Sequence, residues 1–403
     1  MSSTSSSPID FLSRGVAISV LLGLIFIVFW VFDGFDKPFL VSAIFGAVVV
    51  QAVYSGGVAR ALSAVALTVS LTALFVYAHK FHWTDLAGNL WALGGFLGLA
   101  SLLVLAWDAL RSTEAMKPLL LALFCPFLAV VTNLALSVQI GFLPLVRDSH
   151  LFLFDGSLGF QPSFAVGRLF QAAPLLRSGC LFVYSILPFV ELLGFLVFLR
   201  SNRRMVVNPF IVFMLVGLIG MALFAVCPAT GPVYAFKSFP HLPLVVPSAA
   251  AVPQQGAPRN AIPSLHTAWA LLLWWNLRGQ KQWISWSALV FLFFTLLATM
   301  GFGEHYFVDL VVAVPFSLMI QSLCLRDWVR AGFGASITMS WLLYLRFGML
   351  EAAPAPVHAW AMVLVTLAVT AYVGIRSSLR SNVHFVAESS LVMARLASDT
   401  GRL

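Results

Sequence analysis

Charge is what this sequence has least of. Only 9% of its 403 residues are Asp, Glu, Lys or Arg, against about a quarter in soluble globular domains. With a hydrophobic content of 61% and a strongly positive mean hydropathy, that deficit excludes a water-soluble globular chain. Cysteine is also scarce. The four present (Cys125, Cys180, Cys227 and Cys324) lie in or beside apolar runs, at spacings that suit neither a zinc site nor a disulfide framework. They read as small buried hydrophobes. The net charge of +8 comes without any basic cluster or reader motif, which argues against nucleic acid as a partner. No internal repeat divides the chain.

What the chain does have is long apolar runs. They fall at residues 16–32, 38–54, 60–77, 88–107, 117–140, 179–199, 208–226, 263–276, 283–302, 306–325, 334–350 and 355–375. A backbone in lipid must satisfy its own hydrogen bonds, so the fold expected is an all-α polytopic membrane protein with about twelve spans. The first run lacks a small-x-small cleavage site and is long for a signal peptide, so it reads as a retained span. Residues 142–177 differ: they are aromatic, broken by Gly, Pro and single charges, and read as an interfacial or re-entrant segment. A polar, Pro-rich stretch at residues 227–262 is long for a connector and suggests a functional loop. The expected organisation is an N-terminal module at 1–140, a catalytic core at 141–330, two spans at 331–375 and a basic tail at 376–403.

Twelve spans put both termini on one side, together with the larger share of the 23 Lys and Arg. The positive-inside rule makes that side the cytoplasm and turns the loops before Pro263 and His305 outward. A bacterial inner membrane, with the site facing the periplasm, is the expected setting.

Two segments concentrate ionisable side chains where an apolar run begins: AIPSLHTAW, from Ala261 to Trp269, and GEHYFVD, from Gly303 to Asp309. Such residues at a membrane cost about 2 kcal/mol or more each and are functional candidates. Pro263 suits the first turn of a helix, which puts His266 near the outer face. The chain then crosses, turns at Arg278–Lys281 and returns to the same face at His305. His305 and Asp309, four apart, share a helix face. If Asp309 accepts the Nδ1 proton of His305, Nε2 is left free to attack phosphorus. His266 can then act as acid and base, with Lys237 and Arg259 as local cations for the phosphate. The bland readings are an interfacial histidine and a structural His–Asp pair. A metal site would need a further ligand, and none lies close in sequence; no cofactor is expected.

PSLH (Pro263–His266) and HYFVD (His305–Asp309) resemble the second and third motifs of the type 2 phosphatidic acid phosphatase superfamily. CPATGPVYAF, from Cys227 to Phe236, resembles a first motif of its inositolphosphorylceramide synthase-like branch. The likeness implies a six-helix catalytic core, His305 as a nucleophile forming a phosphohistidine, Asp309 as its orienting carboxylate and His266 as acid–base partner. Ser264, Tyr306, Lys237 and Arg259 become candidates for binding substrate; Asp155 either lines the site or caps a helix. The superfamily's phosphatases carry Ser-Arg seven and six residues before the third-motif histidine. Here Ala298 and Thr299 stand there, and the first-motif Lys and Arg-Pro pattern is missing. That loss suits a phosphodiester substrate.

The expected activity is transfer of a phosphoinositol-like head group from a phospholipid to a lipid hydroxyl such as that of ceramide. Membrane lipids would be donor and acceptor. The alternatives are a lipid phosphate or polyprenyl diphosphate phosphatase, a non-catalytic descendant, and a transporter. A transporter should show paired repeats and a midplane site, whereas here only Glu191 lies deep.

Overall fold

The computed structural model describes residues 15, 16, 18–20, 23, 38–78, 86–200, 207–245, 252, 253, 256–347 and 354–374. The first expected span lies almost wholly outside the described residues, as does the tail after residue 374. Four helices come first: α1 (Pro38–Tyr54), α2 (Val58–Tyr77), α3 (Leu86–Arg111) and α4 (Met116–Phe142). A short strand β1 (Leu145–Val146) leads to α5 (Asp148–Ser157), α6 (Pro162–Ala172), α7 (Pro174–Ser185) and α8 (Leu187–Arg200). Next are α9 (Pro209–Phe224), the single turn α10 (Pro232–Ala235) and β2 (Val252–Pro253). The last five helices are α11 (Leu265–Leu277), α12 (Gln282–Gly301), α13 (Phe307–Cys324), α14 (Trp328–Phe347) and α15 (Pro356–Gly374).

Helix starts follow local chemistry. Pro162, Pro174, Pro209 and Pro232 stand in first turns, where a missing N–H costs nothing. Asn208 caps α9 by accepting the Phe210 N–H at 3.0 Å. At α11 the cap is Ser264, so Pro263 lies before the helix, in a cis bond to Ile262, and not in its first turn as expected.

Six helices among the described residues are long and apolar enough to cross a membrane: α2, α3 from Asn89 onward, α4, α12, α13 and α15. Helices α7 and α8 form a broken pair bent by 56° at Ile186, which makes a possible seventh crossing where the sequence suggested one continuous run. Among the described residues the expected count of about twelve is not confirmed. Helices α1, α9 and α11 hold 17, 16 and 13 residues, short of the roughly 20 that a hydrocarbon core of ~30 Å demands. Helix α14 has 20 residues but interleaves Arg330, Ser336, Thr338 and Arg346. The expected interfacial segment is two short helices, α5 and α6.

Three main apolar clusters hold the bundle. Val41, Ile44, Phe96, Leu105 and Leu119 join α1, α3 and α4. Val216, Ala268, Leu272, Phe316 and Ile320 join α9, α11 and α13. Leu151, Phe154, Val312, Trp341 and Leu345 pack α5 between α13 and α14. Helix α4 takes part in two of them, because Leu119 and Leu123 face the first cluster and Leu128 the second. The only sheet among the described residues pairs Leu145 with Pro253 and Val146 with Val252, antiparallel, and so fastens the Pro-rich stretch to the chain entering α5.

Candidate active site

The three motif stretches are stitched together mostly through the backbone. Ala261 N–H donates to Ala229 O at 3.0 Å, Val233 N–H to Gly303 O at 2.9 Å and Ser264 N–H to Asp309 O at 3.2 Å. Gly231, at φ 94°, brings the first motif so close to Glu304 O that a Cβ would collide with it. Gly303, at φ 74°, makes the turn out of α12.

Two buried carboxylates complete the clasp. Asp148 accepts the Thr230 N–H at 3.0 Å, the Gly231 N–H at 2.9 Å and the Tyr306 hydroxyl at 3.1 Å. Burial raises its pKa to about 6 even though these bonds pull the other way. Asp155 accepts the Phe307 and Val308 N–H groups at 2.7 and 3.1 Å. It is a helix cap supplied from another part of the chain, placed at the positive end of α13. Burial, opposed by the Phe307 bond and helped by the charge of Asp309, holds its pKa well above the usual carboxylate range.

His305 sits just before α13 and is 3% exposed. Its Nδ1 lies 2.6 Å from Ala261 O. A carbonyl can only accept, so Nδ1 carries the proton and the lone pair resides on Nε2. This departs from the expected Nδ1–Asp309 bond. Asp309 Oδ2 is 3.5 Å from Nδ1 and instead accepts the Tyr306 N–H at 2.7 Å. Asp309 is thus placed to stabilise positive charge on the imidazole, while Ala261 fixes its tautomer. Further anchors are Ser163 Oγ, which donates to His305 O at 2.8 Å, and Thr299 O, which accepts the His305 N–H at 3.1 Å. Burial depresses the His305 pKa to about 4, although the carboxylate of Glu304 and the Ala261 bond pull upward.

His266, in the first turn of α11, stacks on Tyr184 with ring centroids 4.2 Å apart and faces His305 at 6.3 Å. Both histidines border a cavity of about 210 Å³, lined also by Tyr184, Asn260, Trp269 and a face of α4. Two facing imidazoles, one with a fixed tautomer, at the mouth of an apolar cavity can divide nucleophile and acid–base roles.

The three expected catalytic residues therefore come together, but the five expected substrate contacts do not line the cavity. Asp155 is committed to capping α13. Ser264 Oγ caps α11 by accepting the Thr267 N–H at 3.4 Å. Tyr306 is fully buried against Asp148. Arg259, also fully buried, donates to Leu143 O at 2.9 Å and to Ala257 O. Lys237 is exposed on the loop after α10. The positions of the absent Ser-Arg pair, Ala298 and Thr299, are buried in α12. Sequence reading missed Asp148, Ser163, Tyr184 and Asn260. Only Asp148, a lone carboxylate beside Arg147 at the start of an aromatic segment, carried a visible signal.

Fold and site together define a helical membrane protein with a buried two-histidine centre at one end of the bundle. Residues 149–323 match the family model described as PAP2 superfamily, which supports that superfamily for the segment holding both histidines. Members of the superfamily are generally phosphatases or phosphotransferases. Comparison with curated proteins and with solved structures finds no significant match.

Proposed function

We propose that the protein is a lipid phosphotransferase working through a phosphohistidine on His305. The observation that carries this reading is the 2.6 Å bond from His305 Nδ1 to Ala261 O, with His266 across a shared cavity. Nε2 attacks phosphorus and the bond to the leaving alkoxide breaks, while His266 supplies the alcohol's proton. The hydroxyl of the acceptor then attacks the phosphohistidine, His266 takes its proton, and Nε2 leaves with its electron pair. Asp309, at 3.5 Å, offsets the charge that the imidazole acquires in between.

Transfer of a diester head group, phosphoinositol-like, to a lipid alcohol such as ceramide is favoured over hydrolysis of a phosphomonoester. None of the described residues lining the cavity is Lys or Arg, so a doubly charged phosphate would find little compensation there. The catalytic core we assign is residues 141–330, from α5 to α13 around the histidines. The basic turn Arg278–Lys281 stands at the opposite end of α11 from His266. That polarity supports a site facing the periplasm of a bacterial inner membrane, with both termini cytoplasmic.

The test is a mixed-micelle assay with head-group-labelled phosphatidylinositol and ceramide, beside His305→Ala. Label on ceramide that falls at least ~1,000-fold in the variant, as expected for loss of a nucleophile, supports transfer. His305-dependent release of label into water would make the protein a hydrolase. Equal traces from both proteins would end the catalytic reading.

A further inference from the structure

A bend decides where α8 goes. Helix α7 packs on α12, where Cys180 and Ala298 share a cluster with Leu176, Phe294 and Leu297. The 56° break at Ile186 then turns α8 aside. Helix α8 lies instead against α1 and α11. Leu192 fills the space beside Gly46 and Leu273 the space beside Gly194, each so close that a Cβ on the glycine would collide with it. Between α8 and α12, backed by α11, a cavity of about 870 Å³ is left, within the roughly 300–1,000 Å³ of small-molecule sites. It shares no described lining residue with the histidine cavity. On α11, His266 and Trp269 face that cavity, and Leu273 and Leu277 face this one, toward the Arg278–Lys281 turn.

Polarity is graded along the groove. From Trp283 to Phe291 its lining follows α12 for about 12 Å, most of the ~15 Å that one leaflet contributes to a hydrocarbon core. Val190 and Phe291 line it at depth, and Ser287 is the one hydroxyl among the described lining residues. Gln280 and Lys281 stand at the mouth. Helix α12 begins there without a capping side chain, so its positive end adds to the ammonium charge. Trp283, beside them, is 67% exposed, as suits an interfacial aromatic. None of the described lining residues is Asp or Glu, and Lys281 makes no ion pair among the described residues.

We propose that this groove holds one anionic phospholipid of the leaflet opposite the histidines, its phosphate on Lys281 and an acyl chain between α8 and α12. The argument is complementarity to both ends of an amphiphile. A cation at the start of a helix matches a phosphodiester, and an apolar wedge about one leaflet deep matches a chain. A zwitterionic lipid offers the same chains but brings its own ammonium, which competes with Lys281 for the phosphate. The lipid is held and not turned over, so the inference does not rest on the phosphotransferase reading. By filling the wedge it supplies the packing that the bend withholds from α8, and its binding stabilises the folded bundle.

Native mass spectrometry of the full chain in detergent micelles, titrated with phosphatidylglycerol or phosphatidylcholine, tests this. One phosphatidylglycerol should be retained at least about fivefold more tightly than phosphatidylcholine, the preference that one lysine supplies near a membrane surface. Lys281→Ala should remove the preference, whereas Lys117→Ala, which deletes an exposed cation on α4, should keep it. Ser287→Trp and Leu193→Trp, which fill the groove from α12 and from α8, should abolish retention. Thermal unfolding in lipid-free detergent shows whether each variant is folded. Thr132→Phe, which narrows the histidine cavity instead, should retain the lipid. Equal retention of the two lipids would overturn the proposal, as would equal loss of preference in Lys117→Ala and Lys281→Ala. So would undiminished retention in a folded groove-filling variant, or loss of the lipid in Thr132→Phe. Dimers that Ser287→Trp dissociates would give the groove to a second copy of the chain and overturn the lipid site.

Discussion

The chemistry of the site is set by which atoms are left over once neighbouring groups are satisfied. Ala261 O accepts from His305 Nδ1 and thereby assigns the lone pair to Nε2 without a charged partner. Burial then keeps that imidazole neutral, with its pKa near 4 against an ordinary 6.5. On the proposed mechanism the acid limb of kcat/KM should accordingly sit near pH 4, because the nucleophile is lost only when His305 takes a proton. An acid limb at pH 6 to 7 would contradict this. Asp148 titrates in the opposite sense. Its folded pKa, about 6, lies above the unfolded value near 3.8. The stability it contributes is therefore complete below about pH 4 and lost as the pH rises through 6. Asp148→Asn should flatten the unfolding temperature between pH 4 and 7, measured in detergent; a slope equal to that of the parent would exclude the effect.

At the scale of elements, the site is a junction of helix starts. The starts of α11 and α13 meet, joined by the bond from Ser264 N–H to Asp309 O. Asp155 of α5 caps α13 from a different part of the chain. Asp155→Ala leaves two N–H groups at the start of a buried helix without their carboxylate. The expected loss is about 1–2 kcal/mol of stability, and kcat should fall more than KM changes, since His305 is displaced and substrate contacts are not. A selective rise in KM would instead make Asp155 a binding residue. This arrangement also shows what sequence could and could not reveal. His266, His305 and Asp309 were legible because ionisable residues at the edge of apolar runs stand out. The pairing of Asp155 with Phe307 spans 152 residues, and no local pattern encodes it. Tyr184 was hidden for a similar reason: an aromatic in an aromatic-rich helix carries no mark until His266 is stacked on it. Helix lengths failed differently. Hydropathy counts apolar residues but does not see that Ile186 breaks α7 from α8.

At the scale of the whole molecule, the proposed phosphotransfer requires that the reacting phosphate meet the histidines from one side of the membrane only. Helix α11, the shortest of those that join the two ends of the site, runs about 20 Å from His266 to the Arg278–Lys281 turn at 1.5 Å per residue. The polar loop carrying Lys237 lies at the histidine end, tied there by the Val233–Gly303 bond. The apolar surfaces of α2, α12 and α15, all long enough to cross, keep the bundle at fixed depth, so these two loops should be exposed on opposite faces. Cys180 and Cys227 are buried, which favours a labelling experiment once all four native cysteines are replaced by Ala. In sealed right-side-out vesicles, an impermeant maleimide should modify Lys237→Cys and leave Arg278→Cys unmodified until the membrane is opened. The reverse pattern would put the histidines on the cytoplasmic side, and lipid head groups of that leaflet would become the substrates to test. Labelling of both without opening would mean that the loops share a face, and that α12, which runs between them, does not cross the membrane.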